Sequence, residues 1–186
     1  MRREAQVLPH VRPEGIVKLG AEFSRCRTWR YSLTREWGEL PPLVWMLLNP
    51  SMADEFRDDP TIRRCIGFSM VLGFGGCVIL NLFALRSTYP CSLMTHPDPV
   101  GPGNDAALRT QARAGRTFAC GWGNAPLSNR ESAQKLGPRV FAVQSMLREA
   151  GADVRALKIT SLGQPHHPLY LKSSLQLIPF PVAVAA

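Results

Sequence analysis

Four short apolar runs, each ending on an asparagine, glycine or histidine loop, constrain this chain more than any other feature. Leu43-Val44-Trp45-Met46 leads into Leu47-Leu48-Asn49-Pro50-Ser51, and Cys77-Val78-Ile79-Leu80 leads into Asn81. Thr117-Phe118-Ala119-Cys120 leads into Gly121-Trp122-Gly123-Asn124, and the stretch from Val154 to Ile159 is followed by His166-His167-Pro168-Leu169-Tyr170. Apolar runs of this length suit strands buried on both faces, as in a parallel sheet covered by helices. Ligands of such sheets collect beyond the carboxyl ends of the strands. The four polar strand ends are therefore expected to build one binding crevice.

The segments between the runs read as helices. Asp58-Asp59-Pro60 opens a helix to Gly73, with Asp59 as N-cap and Pro60 in its first turn. After a proline-rich loop from Arg86 to Gly103, Asn104 is expected to cap a second helix through Ala114, stopped by Gly115. A third is expected to start at Pro138 and to end at Gly151. Upstream, Phe23 to Trp37 alternates apolar and charged residues, as an antiparallel hairpin or edge strand does. Strands separated by helices predict a three-layer α/β/α sandwich around a mostly parallel, four-stranded sheet. The expected division is a flexible lead-in over residues 1–20, a single α/β domain over 21–175 and a C-terminal tail over 176–186.

Whole-chain properties bound the function. Among 186 residues, 18 of the 22 basic residues are arginine, and the formal net charge is +8. Arginine grips phosphate with a two-pronged fork, so nucleic acid or a nucleotide is the expected partner. Charge alone, however, also fits a compositional preference for arginine over lysine. No apolar run approaches a membrane span, and no apolar stretch follows Met1-Arg2-Arg3-Glu4 as in a signal peptide. The five cysteines are odd in number and lack a CxxC spacing. A reduced, cytoplasmic, monomeric protein without structural zinc or other cofactor is expected.

The ordered motifs Trp29-Arg30-Tyr31, Leu47 to Ser51, Asp58 to Ile62, Asn81 to Arg86, Pro99-Val100-Gly101, Asn104-Asp105 and His167 to Leu171 resemble the bacterial family known as domain of unknown function 1643. More distantly, four of the loops are similar to the uracil-DNA glycosylase superfamily. Asn49-Pro50-Ser51 resembles its first motif and Asn81 its strand-end base reader. Gly121 to Asn124 resembles its Leu-Trp-Gly-Asn turn, and His167-Pro168-Leu169 its His-Pro-Ser motif. Ser51 and Leu169 depart from the glycine and the small residue usual there, which argues against tight clamping of DNA.

The chemistry of N-glycosidic cleavage asks for residues of these types. Positive charge develops on the sugar and negative charge on the departing base. Asn49 can orient water through its amide, and His167 can donate to the developing oxyanion. Asn81 presents a donor beside an acceptor, complementary to the edge of uracil. The expected catalytic residues are Asn49 and His167. Pro50, Ser51, Asn81, Phe83, Arg86, Trp122, Gly123, Asn124 and Pro168 are the expected substrate contacts, with Phe83 or Tyr89 stacking on the base. One rival reading keeps the pocket as a non-catalytic binding module. A second gathers Asp54, Asp58, Asp59, His166 and His167 around a divalent ion as a hydrolase.

Overall fold

The structure, a computed structural model, describes residues 15, 18–113, 116–125 and 128–181. The described chain folds into seven strands and four helices. They run in the order β1 (Lys18–Phe23), β2 (Arg30–Glu36), β3 (Pro42–Leu47), α1 (Pro60–Val71), β4 (Gly76–Asn81), α2 (Ser92–Thr95), α3 (Asn104–Arg113), β5 (Thr117–Cys120), α4 (Arg130–Glu149), β6 (Asp153–Ala156) and β7 (Ile178–Pro179).

All seven strands join one sheet in the order β1-β2-β4-β3-β5-β6-β7. The four apolar runs are β3, β4, β5 and β6, and they pair in parallel at its centre. The sheet is larger and more mixed than the expected four strands. β1 and β2 form an antiparallel hairpin that extends it at one edge through β4, and β7 adds an antiparallel pair at the other. β1 begins inside the expected lead-in, most of which lies outside the described residues. β7 falls in the expected tail, of which residues 182–186 lie outside the description.

Side-chain alternation along the central strands divides the core into two layers. Leu43, Trp45 and Leu47 on β3, with Cys77 and Ile79 on β4, pack against Ile62, Cys65, Ile66 and Phe68 of α1. Val44, Met46, Val78, Leu80, Phe118 and Cys120 face the opposite way, against Leu108 of α3 and Leu136, Val140, Val143 and Leu147 of α4. Helices thus cover both faces. This is why β3, β4 and β5 read as nearly continuous apolar runs.

α1 keeps the boundaries its sequence dictates. The Asp59 carboxylate accepts from the Ile62 amide at 2.9 Å, Pro60 sits in the first turn, and Gly73 leaves the helix at φ +81°. Two expectations are corrected. α4 begins at Arg130, because the Asn129 side chain caps the Ser132 amide at 2.9 Å, and Pro138 lies inside the helix. The missing proline donor removes one rung of the ladder, and burial of Leu136, Val140 and Val143 on either side of it keeps the helix together. Asn104 does not cap α3 either. It is fully buried, and its amide donates to the carbonyls of Asn81 and Leu82, both at 3.1 Å.

The proline-rich loop is anchored on Trp29 and Tyr31. Gly101 has φ +85°, and a Cβ there would lie 2.4 Å from Cδ1 of Trp29; one at Gly103 would lie 2.8 Å from the Tyr31 ring. Ala84 and Leu85 bond to Val100 and Pro99, and Arg30 bonds to Ala84. Motifs far apart in sequence are therefore one contact surface. Gly101→Ala, which combines a left-handed backbone with overpacking, should destabilise the fold by about 3 kcal/mol. A lower midpoint in urea denaturation at unchanged slope is the expected readout.

Candidate functional site

Because β3, β4, β5 and β6 run parallel, their carboxyl ends share one edge of the sheet, and a crevice of about 350 Å³ opens there. Of the expected site residues, Asn49, Ser51, Asn81, Trp122, Gly123, Asn124 and His167 all line it. Strand order reverses between β3 and β5, the position where open α/β sheets leave a cleft.

The loops are locked to one another. A Cβ at Gly121 would lie 2.9 Å from Cδ of Pro168, so only glycine lets the His166-His167-Pro168 segment approach β5. The Gly123 amide, at φ +73°, donates to the Pro165 carbonyl at 2.9 Å. Trp122 Nε1 donates to Gln164 Oε1 at 2.9 Å, and Thr160 Oγ1 donates to Asn124 Oδ1 at 2.7 Å. Arg64 of α1 stacks over Phe68 and donates to the Leu171 carbonyl.

Asn49 sits just beyond β3. Its amide nitrogen donates to the carbonyls of Pro50 (3.1 Å) and Ser87 (2.9 Å), while the Ser87 amide donates back to Pro50. Both of its N–H groups are therefore committed, and Oδ1 is the atom with which Asn49 can hold a water. His167 is half-buried. Its Nδ1 accepts from the Leu169 amide at 3.4 Å, which puts the proton of the neutral ring on Nε2. Burial lowers its pKa below the usual 6.5, with Asp59 pulling the other way. The ring is thus a neutral donor around pH 7.

Five expected contacts lie elsewhere. Phe83 is 2% exposed and belongs to the core, so it cannot stack on a ligand. Pro50 and Pro168 are buried behind the lining, in the loop contacts just described. Arg86 turns to Phe23, 4.9 Å from the ring centre, and donates to the Arg27 carbonyl. Tyr89 is exposed and absent from the lining, whereas Tyr170, 81% exposed and 6.3 Å from the His167 ring, stands in it. Among the carboxylates of the rival metal site, Asp58 binds Arg35 at 2.8 Å and Asp54 caps the amides of Phe56 and Arg57. Among the described residues no group of three His, Cys, Asp or Glu side chains is placed to hold a metal ion.

Two charged lining residues stood outside the glycosylase reading of the sequence. Asp59, read from the sequence as a helix cap and as a ligand of the rival metal site, caps α1 through Oδ1 and is the one carboxylate among the described lining residues. Arg30, noticed only as a motif letter, is 2% exposed on the crevice floor. It donates to the Ala53 carbonyl at 3.0 Å and to Asn81 Oδ1 at 3.3 Å. A charge predicted at the start of an edge hairpin gave no sign that the fold would bury it.

The chain matches the family described as Protein of unknown function (DUF1643) over residues 30–169, and it belongs to that family. The match begins at Arg30 and ends just past His167, so it contains every described lining residue of the crevice except Tyr170. No curated protein and no solved structure matches the chain. Among the described residues no helix is long and apolar enough to cross a membrane.

His167 makes stability depend on pH with a defined sign. Its folded pKa is depressed, so as pH falls the unfolded chain takes up the proton first. Its contribution is complete above about pH 6.5 and is lost progressively below it. Thermal unfolding on either side of that pH should show a loss on acidification that shrinks in His167→Gln.

Proposed function

We propose that the crevice receives a nucleobase and that the protein hydrolyses the N-glycosidic bond joining that base to the sugar of a nucleic acid. The observation that carries this reading is convergence. Asn49, Asn81, the Trp122 to Asn124 turn and His167, from four separate strand ends, line one cavity of about 350 Å³. The parallel centre of the sheet, with helices on both faces, supports the finer resemblance to uracil-DNA glycosylases.

In this reading Asn49 Oδ1 and Asp59 hold the attacking water, and Asp59 takes one of its protons. The water oxygen bonds to C1′ as the C1′–N bond breaks, and that electron pair leaves with the base. His167, neutral with its proton on Nε2, donates a hydrogen bond to the oxygen where negative charge develops. The departed base then takes up a proton, which completes the hydrolysis. The excess of arginine supplies the long-range attraction to a phosphate backbone.

The test is alkali-induced strand scission of oligonucleotides carrying uracil, hypoxanthine or alkylated bases, without added metal. Asn49→Ala should cut cleavage far more than binding. His167→Ala should cut cleavage by about 100-fold, the loss typical of one oxyanion donor. Binding to single-stranded and duplex oligonucleotides should weaken steeply with salt as phosphate contacts release counterions.

A second reading, a binding module without catalysis, is favoured by one observation: both amide hydrogens of Asn49 are tied to backbone carbonyls, as in a residue that only braces the loop. Salt-sensitive binding with every lesion left intact would select it.

A further inference from the structure

The three most exposed aromatic side chains among the described residues all stand at the crevice edge of the sheet. Tyr170 is 81% exposed, Phe56 78% and Tyr89 70%, against 44% for Phe141 on the outer face of α4. Tyr170 is itself a lining residue, and Tyr89 lies between the lining residues Thr88 and Pro90. Phe56 lies on the loop from Ser51 to Asp59, whose two ends line the crevice. Surface aromatics scattered singly need no explanation, but these three share the mouth of one cavity.

The loop beneath Phe56 is pinned by charge. Asp54 caps the amides of Phe56 and Arg57, Glu55 binds Arg27 at 2.7 Å, and Asp58 binds Arg35 at 2.8 Å. Buried Arg30 and Arg35 also hold the carbonyls of Ala53 and Asp54. A loop free to move would fold the Phe56 ring and the Met52 side chain against the protein, whereas this one keeps both in water. Its carboxylates are engaged by caps and arginines, so the charge it presents outward is that of Arg57. Arg57 is exposed and interacts electrostatically with Asp54, yet among the described residues it forms no ion pair. Tyr89 is anchored too. Its amide donates to Ser87 Oγ at 3.0 Å, and the Ser87 main chain is bonded to the Asn49 side chain and the Pro50 carbonyl.

We propose that Phe56 and Tyr89 are stacking platforms for the bases next to the one in the crevice, with Arg57 on the adjoining phosphate, and that the nucleic acid bound is therefore single-stranded. This rests on the base-binding reading of the crevice and adds the form of nucleic acid the site takes. A ring held in water beside a cation offers a single strand what it lacks, a face for an unstacked base and a charge for its phosphate. In a duplex the neighbouring bases already stack on one another and have no face to give. Tyr170, whose ring centre is 6.3 Å from that of His167, belongs to the crevice itself.

The experiment measures binding of the full-length protein, by fluorescence anisotropy, to three forms of one labelled oligodeoxynucleotide. Each carries a central 2′-fluoro-deoxyuridine, whose glycosidic bond resists cleavage. One form is single-stranded, one is annealed to its complement, and one is single-stranded with abasic residues flanking the central base. Free uracil, hypoxanthine and a methylated adenine are titrated in parallel by calorimetry. The plain single strand should bind most tightly. Phe56→Ala and Tyr89→Ala should each weaken it by about 10-fold, the loss of one stacked base, and should leave the abasic-flanked strand unchanged. Arg57→Gln should weaken all three forms alike and lower the salt slope by about one. Because both rings are exposed, the alanine variants should keep the wild-type urea midpoint, which separates lost stacking from misfolding. Duplex bound as tightly as single strand, or a Phe56→Ala loss that is absent or persists with abasic flanks, would overturn the platforms; a free base still bound would leave the base pocket standing. A dimer that dissociates in Phe56→Ala would assign the ring to a second copy of the chain and overturn the proposal. No binding of any strand or free base would overturn both readings.

Discussion

The buried guanidinium of Arg30 is the constraint around which the crevice is organised. It enters from β2, an edge element by sequence, and reaches the carbonyl of Ala53 in the loop after β3 and the amide of Asn81 at the end of β4. Three segments without sequence proximity are held by one side chain. Such a group can be buried only where its fork meets acceptors, because an unsolvated charge is otherwise prohibitive. The surrounding structure supplies them as a backbone carbonyl and an amide oxygen, not as carboxylates. The Asp59 carboxylate of α1 offsets part of the charge without forming an ion pair with it.

Two more arginines extend the same logic to the loop between β3 and α1. Arg35 holds the carbonyl of Asp54 at 2.7 Å and the carboxylate of Asp58, and Arg27 binds Glu55 through two bonds of 2.7 and 2.8 Å. A loop with exposed Met52 and Phe56 has little apolar area of its own to hold it. The hairpin is thus more than an extension of the sheet edge: it fixes the loop that carries Asn49, Ser51 and, at its far end, Asp59. On the other side, Gly121, Gly123, Gln164 and Thr160 hold the histidine loop against the β5 turn. Asn81 and the histidine loop are braced in part by groups outside the lining, Asn104 and Gln164 among them.

The central fold was legible because its physics is local. A strand covered on both faces must be apolar throughout, and a helix that begins at Asp59-Pro60 and ends at Gly73 announces both ends. Where the reading failed, a distant partner had overridden the local signal. Asn104 looks like a helix cap, yet its amide is used by carbonyls at the end of β4. Pro138 looks like a helix start, yet the cap at Asn129 and the buried face of α4 carry the helix through it. Phe83 looks like a stacking platform, and the core claims it.

The sequence by itself determined which residues stand at the carboxyl ends of the parallel strands, since period, run length and the polar residue that ends each run are properties of the chain alone. Asn49, Asn81, Gly121 to Asn124 and His167 were placed on that basis. Only the tertiary structure decided which of their atoms remain available. It committed the amide hydrogens of Asn49 to backbone, turned Nδ2 of Asn81 toward an unfilled position, set the His167 tautomer and brought Arg30 beneath them. Hydrogen-bond partners and burial are set by groups tens of residues away in the chain, and no local pattern of residues records them.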